Sequence, residues 1–68
     1  MTADKVYQII NLVGTSQDSI EAAIDNALEV AGTKSNKVDW FEVIETRGFV
    51  EHNKAKYYQV NLKIGCGE

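Results

Sequence analysis

The run VDWFEVIETRGFVEHNKAKYYQVNLKI, Val38 to Ile64, decides the fold. Its second half alternates cleanly. Tyr58, Val60, Leu62 and Ile64 fall on one side and Tyr57, Gln59, Asn61 and Lys63 on the other, the period of a half-buried strand from about Ala55 to Ile64. The first half reads as a strand from about Val38 to Val50, rich in β-branched and aromatic residues. Strict alternation puts Val38, Trp40, Glu42, Ile44 and Thr46 on one of its faces. Asp39, Phe41, Val43, Glu45 and Arg47 take the other. Between the halves, Glu51-His52-Asn53-Lys54 forms a tight turn, with Asn53 able to adopt the left-handed conformation. The run is therefore an antiparallel hairpin. A turn centred on His52 and Asn53 puts Phe41 and Val43 on one face with Tyr58 and Val60. On the opposite face Glu42 meets Lys63, Ile44 meets Asn61, Thr46 meets Gln59, and Trp40 lies opposite Gly65. Glu42 with Lys63 is a favourable cross-strand pair.

Upstream, the clearest element is a helix. Ile20, Ala23, Ile24, Ala27, Leu28 and Ala31 have the spacing of one apolar stripe on a helix of period 3.6. Thr15 or Ser16 is the expected N-cap, with Asp18 and Glu21 in the first turn, where the helix dipole favours acidic groups. Gly32 is the expected residue just past the end, with Thr33 to Lys37 as the loop after it. Before the helix, a strand from about Lys5 to Val13, closed by Gly14, carries apolar side chains on both faces. The class is α+β, in the order β-α-β-β. One helix packs on one face of a three-stranded antiparallel sheet, in a single domain over residues 1–68.

Size and charge narrow the function. A chain of 68 residues buries only about 60% of its unfolded surface and needs help from disulfides, metals or self-association. Cys66 is the only cysteine and His52 the only histidine, so an internal disulfide is excluded and a protein-built metal site is disfavoured. Self-association remains. With 10 Asp plus Glu against 7 Lys plus Arg, no basic patch marks a nucleic-acid surface. The N-terminus shows neither a signal-peptide pattern nor a membrane span, which makes a cytoplasmic location the expectation.

One helix leaves the far face of the sheet uncovered. That face is expected to carry Trp40, Ile44 and Tyr57 among polar residues, as a ligand or partner surface does. From pattern alone, Trp40 serves either as a ligand platform or as a plug in a subunit contact.

The residues also carry a resemblance. Leu12-Val13-Gly14-Thr15-Ser16, Trp40-Phe41-Glu42-Val43 with Arg47-Gly48 beyond it, and Tyr58-Gln59-Val60 resemble the bacterial dodecins. The likeness runs from about Val6 to Gly65, in the same order and with compatible spacing. It implies a hollow homododecamer built from trimers that binds flavins in pairs at subunit junctions and stores them without catalysis. FMN is the leading ligand, with riboflavin or lumichrome as others. Trp40 would stack on the isoalloxazine ring, and the Gln59 amide would bond its pyrimidine edge. Arg47 would lie near the ligand or a subunit contact. Asp39, beside Trp40, completes the candidate flavin-binding set.

Chemistry agrees with the first two roles. A flavin needs a flat aromatic platform and a group that both donates and accepts, which Trp40 and Gln59 offer on one expected face. Gly65 would leave room for the ring system. Parity puts Arg47 on the helix side instead, where an ion pair between subunits competes with a phosphate contact. Where relatives often end in Gly-Phe-Arg, this chain reads Gly65-Cys66-Gly67-Glu68, and Gln8 and Asn11 stand where charges are common. Lys5, Lys34 and Lys37 are solvated lysines by default. Asp39, Glu42 and Glu45 do not form a catalytic cluster, because alternation separates Glu42 from the other two. The competing readings are a structural assembly subunit, a binder of coenzyme A or another nucleotide without a flavin role, and an enzyme using bound flavin.

Overall fold

The computed structural model describes residues 5–35 and 37–67. Asn36 of the expected loop and Glu68 of the C-terminal run lie outside the described residues, as do the first four positions. The order is β1 (Tyr7–Ser16), α1 (Ile20–Lys34), β2 (Val38–Glu51) and β3 (Lys54–Gly67). The three strands form one antiparallel sheet in the order β1-β3-β2, so β3 is central. The expected class and element order are those of the structure.

The boundaries move for identifiable reasons. β1 does not stop at Gly14: Gly14, Thr15 and Ser16 continue the ladder against Val60, Gln59 and Tyr58. Gly14 is buried under the helix, and a Cβ there would run into the Ala23 carbonyl. The glycine therefore serves a close approach of strand to helix. The N-cap is Ser19, whose hydroxyl accepts from the Ala22 N–H at 3.0 Å, not Thr15 or Ser16. Ser16 instead accepts from the Asp18 N–H at 2.9 Å. Three hydroxyls compete for the cap, and the extension of β1 through Ser16 leaves Ser19 as the one at the helix start. Glu21 keeps its place in the first turn, while Asp18 precedes the helix. At the other end the helix runs through Gly32 to Lys34, and the Ser35 N–H donates to the Ala31 carbonyl at 3.0 Å.

The core lies between the helix and β3. Ala23, Ala27 and Ala31 pack on Val60, Leu62, Ile64 and Cys66, with Ile10, Leu12, Ile24, Leu28 and Val38 around them. Small residues one turn apart let the helix axis come close to the sheet. Of the expected apolar stripe, the alanines hold its centre and Ile20 falls at its exposed edge. β2 is almost untouched by the helix: every residue from Asp39 to Glu51 is exposed. The hairpin tip, beyond the Ser16–Tyr58 pair, extends past both β1 and the helix. The Cα radius of gyration is 14.3 Å, against about 11 Å for a compact chain of this length.

At the tip, His52 and Asn53 both adopt positive φ, 55° and 62°. This is the two-residue turn whose twist matches the strands. The resulting register holds at both ends and slips in the middle. Glu51 pairs with Lys54 and Val50 with Ala55. Glu42 pairs with Lys63 and Trp40 with Gly65, as expected. In between, β3 gains an extra residue at Lys56 and β2 gains one at Ile44. These two bulges cancel, so that residues beyond them return to register. Within the shifted stretch Thr46 faces Val60 rather than Gln59, and Glu45 rather than Ile44 faces Asn61. The shift places Phe49 across from Tyr57, where the rings stack at 4.6 Å and 9°. Such a pair contributes about 0.5–1.5 kcal/mol beyond burial, which the unshifted register would forgo. A third irregularity at Asp39 turns Val38 toward the core, away from the face it was expected to share with Trp40.

Candidate functional site

The face turned away from the helix is defined by β3. Because Val60, Leu62 and Ile64 point into the core, Gln59, Asn61, Lys63 and Gly65 point out. Their cross-strand partners share that face: Trp40, Glu42, Glu45 and Arg47 from β2, and Ile9, Asn11, Val13 and Thr15 from β1. The structure thus puts Trp40 and Gln59 on one face, as the sequence indicates. It also puts Arg47 there, against the sequence expectation. Arg47 is the direct partner of Gln59, and the cause is the Ile44 bulge, which reverses the parity of the residues after it. The same reversal carries Glu45 to the face of Glu42, where alternation had separated them. The two carboxylates remain apart in function: Glu42 lies across from Lys63, and Glu45 accepts a 2.7 Å bond from the Arg47 guanidinium.

Two local arrangements result. At one end, Trp40 leans across β3 onto Gly65, which is buried. The room expected beside Trp40 for an arriving ring is taken by the indole itself: a Cβ on Gly65 would fall within the indole. Tyr7 meets the ring edge to face, with centroids 5.8 Å apart and planes at 65°. Trp40 remains 37% exposed, so a substantial part of the ring faces outward. Asp39 sits beside this platform, its carboxylate filling the space that a side chain at Gly67 would need. The Gly67 N–H donates to the Lys37 carbonyl at 3.1 Å, holding the two strand ends together.

At the other end, Gln59 and Arg47 line a shallow hollow of about 160 Å³ with Val13, Glu45 and Asn61. Among the described residues, the Gln59 amide makes no side-chain hydrogen bond, which leaves its carbonyl and NH₂ available. The Arg47–Glu45 pair is more than half exposed on both sides and contributes well under about 1 kcal/mol to stability.

The structure brings Arg47 together with Gln59, and Asp39 together with Trp40. It does not bring the two pairs together. Gln59 and Gly65 are six residues apart along β3, so Gln59 and Trp40 stand roughly 20 Å from each other. Tyr7 and Glu45 are neighbours of the site that sequence reasoning missed. Tyr7 could have been found from the alternation of β1, which puts it on the Trp40 face; Glu45 could not, because nothing local announces the bulge. Among the described residues, no helix is long and apolar enough to cross a membrane.

Comparison with known proteins fits this geometry. The family model Dodecin matches residues 6–67. A dodecin of Thermus thermophilus is 48% identical over 61 residues, covering 90% of this chain and 88% of the relative. The solved dodecin of Streptomyces coelicolor superposes with a TM-score of 0.88 at 36% identity, over 98% of this chain and 96% of that one. The dodecin of Streptomyces davaonensis gives 0.87 at 32% identity, over 97% of each chain. The chain belongs to the dodecin family.

Proposed function

We propose that this protein binds and stores flavin without catalysing a reaction, as a cytoplasmic homo-oligomer in which Trp40 stacks on the isoalloxazine ring. One observation carries the reading. The single tryptophan turns an exposed ring outward on the open face, while the amide suited to the polar edge of a flavin stands roughly 20 Å away on the same face. A single ring system reaches both groups only when two chains meet, with Trp40 from one and Gln59 from another. The exposed β2 strand supplies the surface for such a meeting, and a hollow homododecamer with paired flavins at its junctions satisfies it.

The residues suit the group. Indole supplies a planar, electron-rich surface for stacking, and the glutamine amide both donates and accepts. Arg47, on the face of Gln59, is the cation nearest to it in the sheet and favours FMN, with riboflavin and lumichrome as alternative ligands. Asp39 borders the platform and limits how a ligand lies across it.

The test is a fluorescence titration of riboflavin and of FMN into purified protein, with the mass of the assembly measured in the same samples. The expected result is strong quenching that Trp40→Ala abolishes while the oligomer persists. Emission that stays unquenched, or quenching that survives Trp40→Ala, overturns the reading. A colourless oligomer indifferent to flavin would support a structural subunit instead.

A further inference from the structure

We infer that Gly65 and Tyr7 are positioning residues for Trp40: Gly65 lets the indole lie down on the sheet, and Tyr7 holds it there with one face outward. The role this gives the indole rests on the flavin reading above; the posture itself does not.

Side chains on a strand stand roughly perpendicular to the sheet. A tryptophan that did so on an exposed face would offer solvent its edge and both of its faces, and a planar ligand would have to choose among them. Trp40 does otherwise. Its cross-strand partner is Gly65, and the next residue across the sheet on the same face that carries a side chain is Ile9 of β1, two strand spacings or about 10 Å away. The atoms nearest to a Cβ built on Gly65 are Cε2, Cζ2 and Nε1 of Trp40, closer than non-bonded heavy atoms can approach. The indole therefore occupies the volume in which any other residue would carry its first side-chain atom. Gly65 is buried yet keeps a negative φ. Its lack of a side chain, rather than backbone freedom, is what the position uses.

The second constraint comes from β1. Tyr7 pairs with Gly67, one step further along the face, and meets the indole at 5.8 Å and 65°. An edge-to-face contact of this kind fixes the ring laterally while leaving its outer surface clear. The positions next to Trp40 along the face, Gly65 and Gly67, both lack side chains. On the Gly65 side a planar ring meets no side chain from β3, while Lys63 and the Asp39 carboxylate beside Gly67 bound the indole along the strand.

Trp40 is the only tryptophan, so its emission reports its own posture. Ligand-free Gly65→Ala is expected to show red-shifted emission and lower anisotropy, with the oligomer mass unchanged, whether or not flavin binds. Riboflavin affinity should fall at least tenfold in the same variant. Tyr7→Leu should weaken binding by about two- to tenfold, while Tyr7→Phe, which keeps the ring edge, should restore it to near the wild-type value. Should Gly65→Ala fail to assemble, the Tyr7 pair decides the matter. Unchanged emission and affinity in Gly65→Ala, or equal losses in Tyr7→Leu and Tyr7→Phe, overturn the inference. Wild-type protein that binds no flavin, with the emission changes still seen in Gly65→Ala, would overturn the functional reading alone.

Discussion

β3 and β2 are hydrogen-bonded partners along most of their length, yet they live in different environments. Val60, Leu62 and Ile64 on β3 are fully buried beneath the helix alanines. Phe41, Val43 and Phe49 on β2 remain 41–44% exposed. Phe41 and Val43 even point to the helix side, and the helix does not reach them. The central strand carries the chain's own core, and the edge strand leaves apolar surface for a partner. Trp40 and Arg47 both lie on β2, the strand the chain leaves uncovered, while Gln59 is on the outward face of β3. β3 is buried on its helix side and keeps its outer face half open; β2, buried on neither face, has surface but little stability of its own.

The contrast is sharpest in paired truncations. Leu62→Ala removes a fully buried side chain and should cost about 2–5 kcal/mol, read as a lower urea midpoint, in a domain with little to spare. Phe41→Ala should act mainly on assembly, lowering the oligomer mass at micromolar protein. If Phe41→Ala instead matched Leu62→Ala in stability while the assembly stayed intact, the division between the two strands would break. Gly14→Ala probes the seam between β1 and the helix. With the Ala23 carbonyl in the way, it should destabilise by about 1–3 kcal/mol by thermal unfolding, although alanine usually stabilises a strand relative to glycine. The smallest effect belongs to the hairpin tip. His52 holds φ at 55°, so His52→Gly should leave the melting temperature equal or raise stability by up to about 1 kcal/mol. A loss there would mean that the His52 side chain finds a partner in the assembly.

Much of the chain is legible because the signals are local. The alternation from Tyr57 to Ile64 reports a strand with one dry face. The spacing of Ala23, Ala27 and Ala31 reports a helix on that face. The His52-Asn53 turn fixes the hairpin closely enough that the Trp40–Gly65 and Glu42–Lys63 pairs come from counting alone. Trp40 and Gln59 could be placed on one face for the same reason, since the two compensating bulges leave the count at Trp40 unchanged and Gln59 belongs to the strand whose outward face is set by the core.

Arg47 shows where counting stops. Its face depends on whether a single residue, Ile44, is accommodated outside the ladder, and one extra residue reverses every side chain up to the next bulge. Nothing in the sequence around Ile44 differs from an ordinary strand. The shifted register comes together with a contact further along, the stacking of Phe49 on Tyr57, and with the extra residue at Lys56 that brings those two rings opposite each other. Likewise, that Gly14 admits the helix, and that Gly65 admits an indole, depends on which backbone lies across from each. The sequence alone determined the elements, their order, the turn and the face of the platform, because those arise from the periodicity of single strands and helices. The tertiary structure alone decided the company of Arg47, the posture of Trp40 and its distance from Gln59, because those depend on how strands slip past one another and pack against residues distant in the chain.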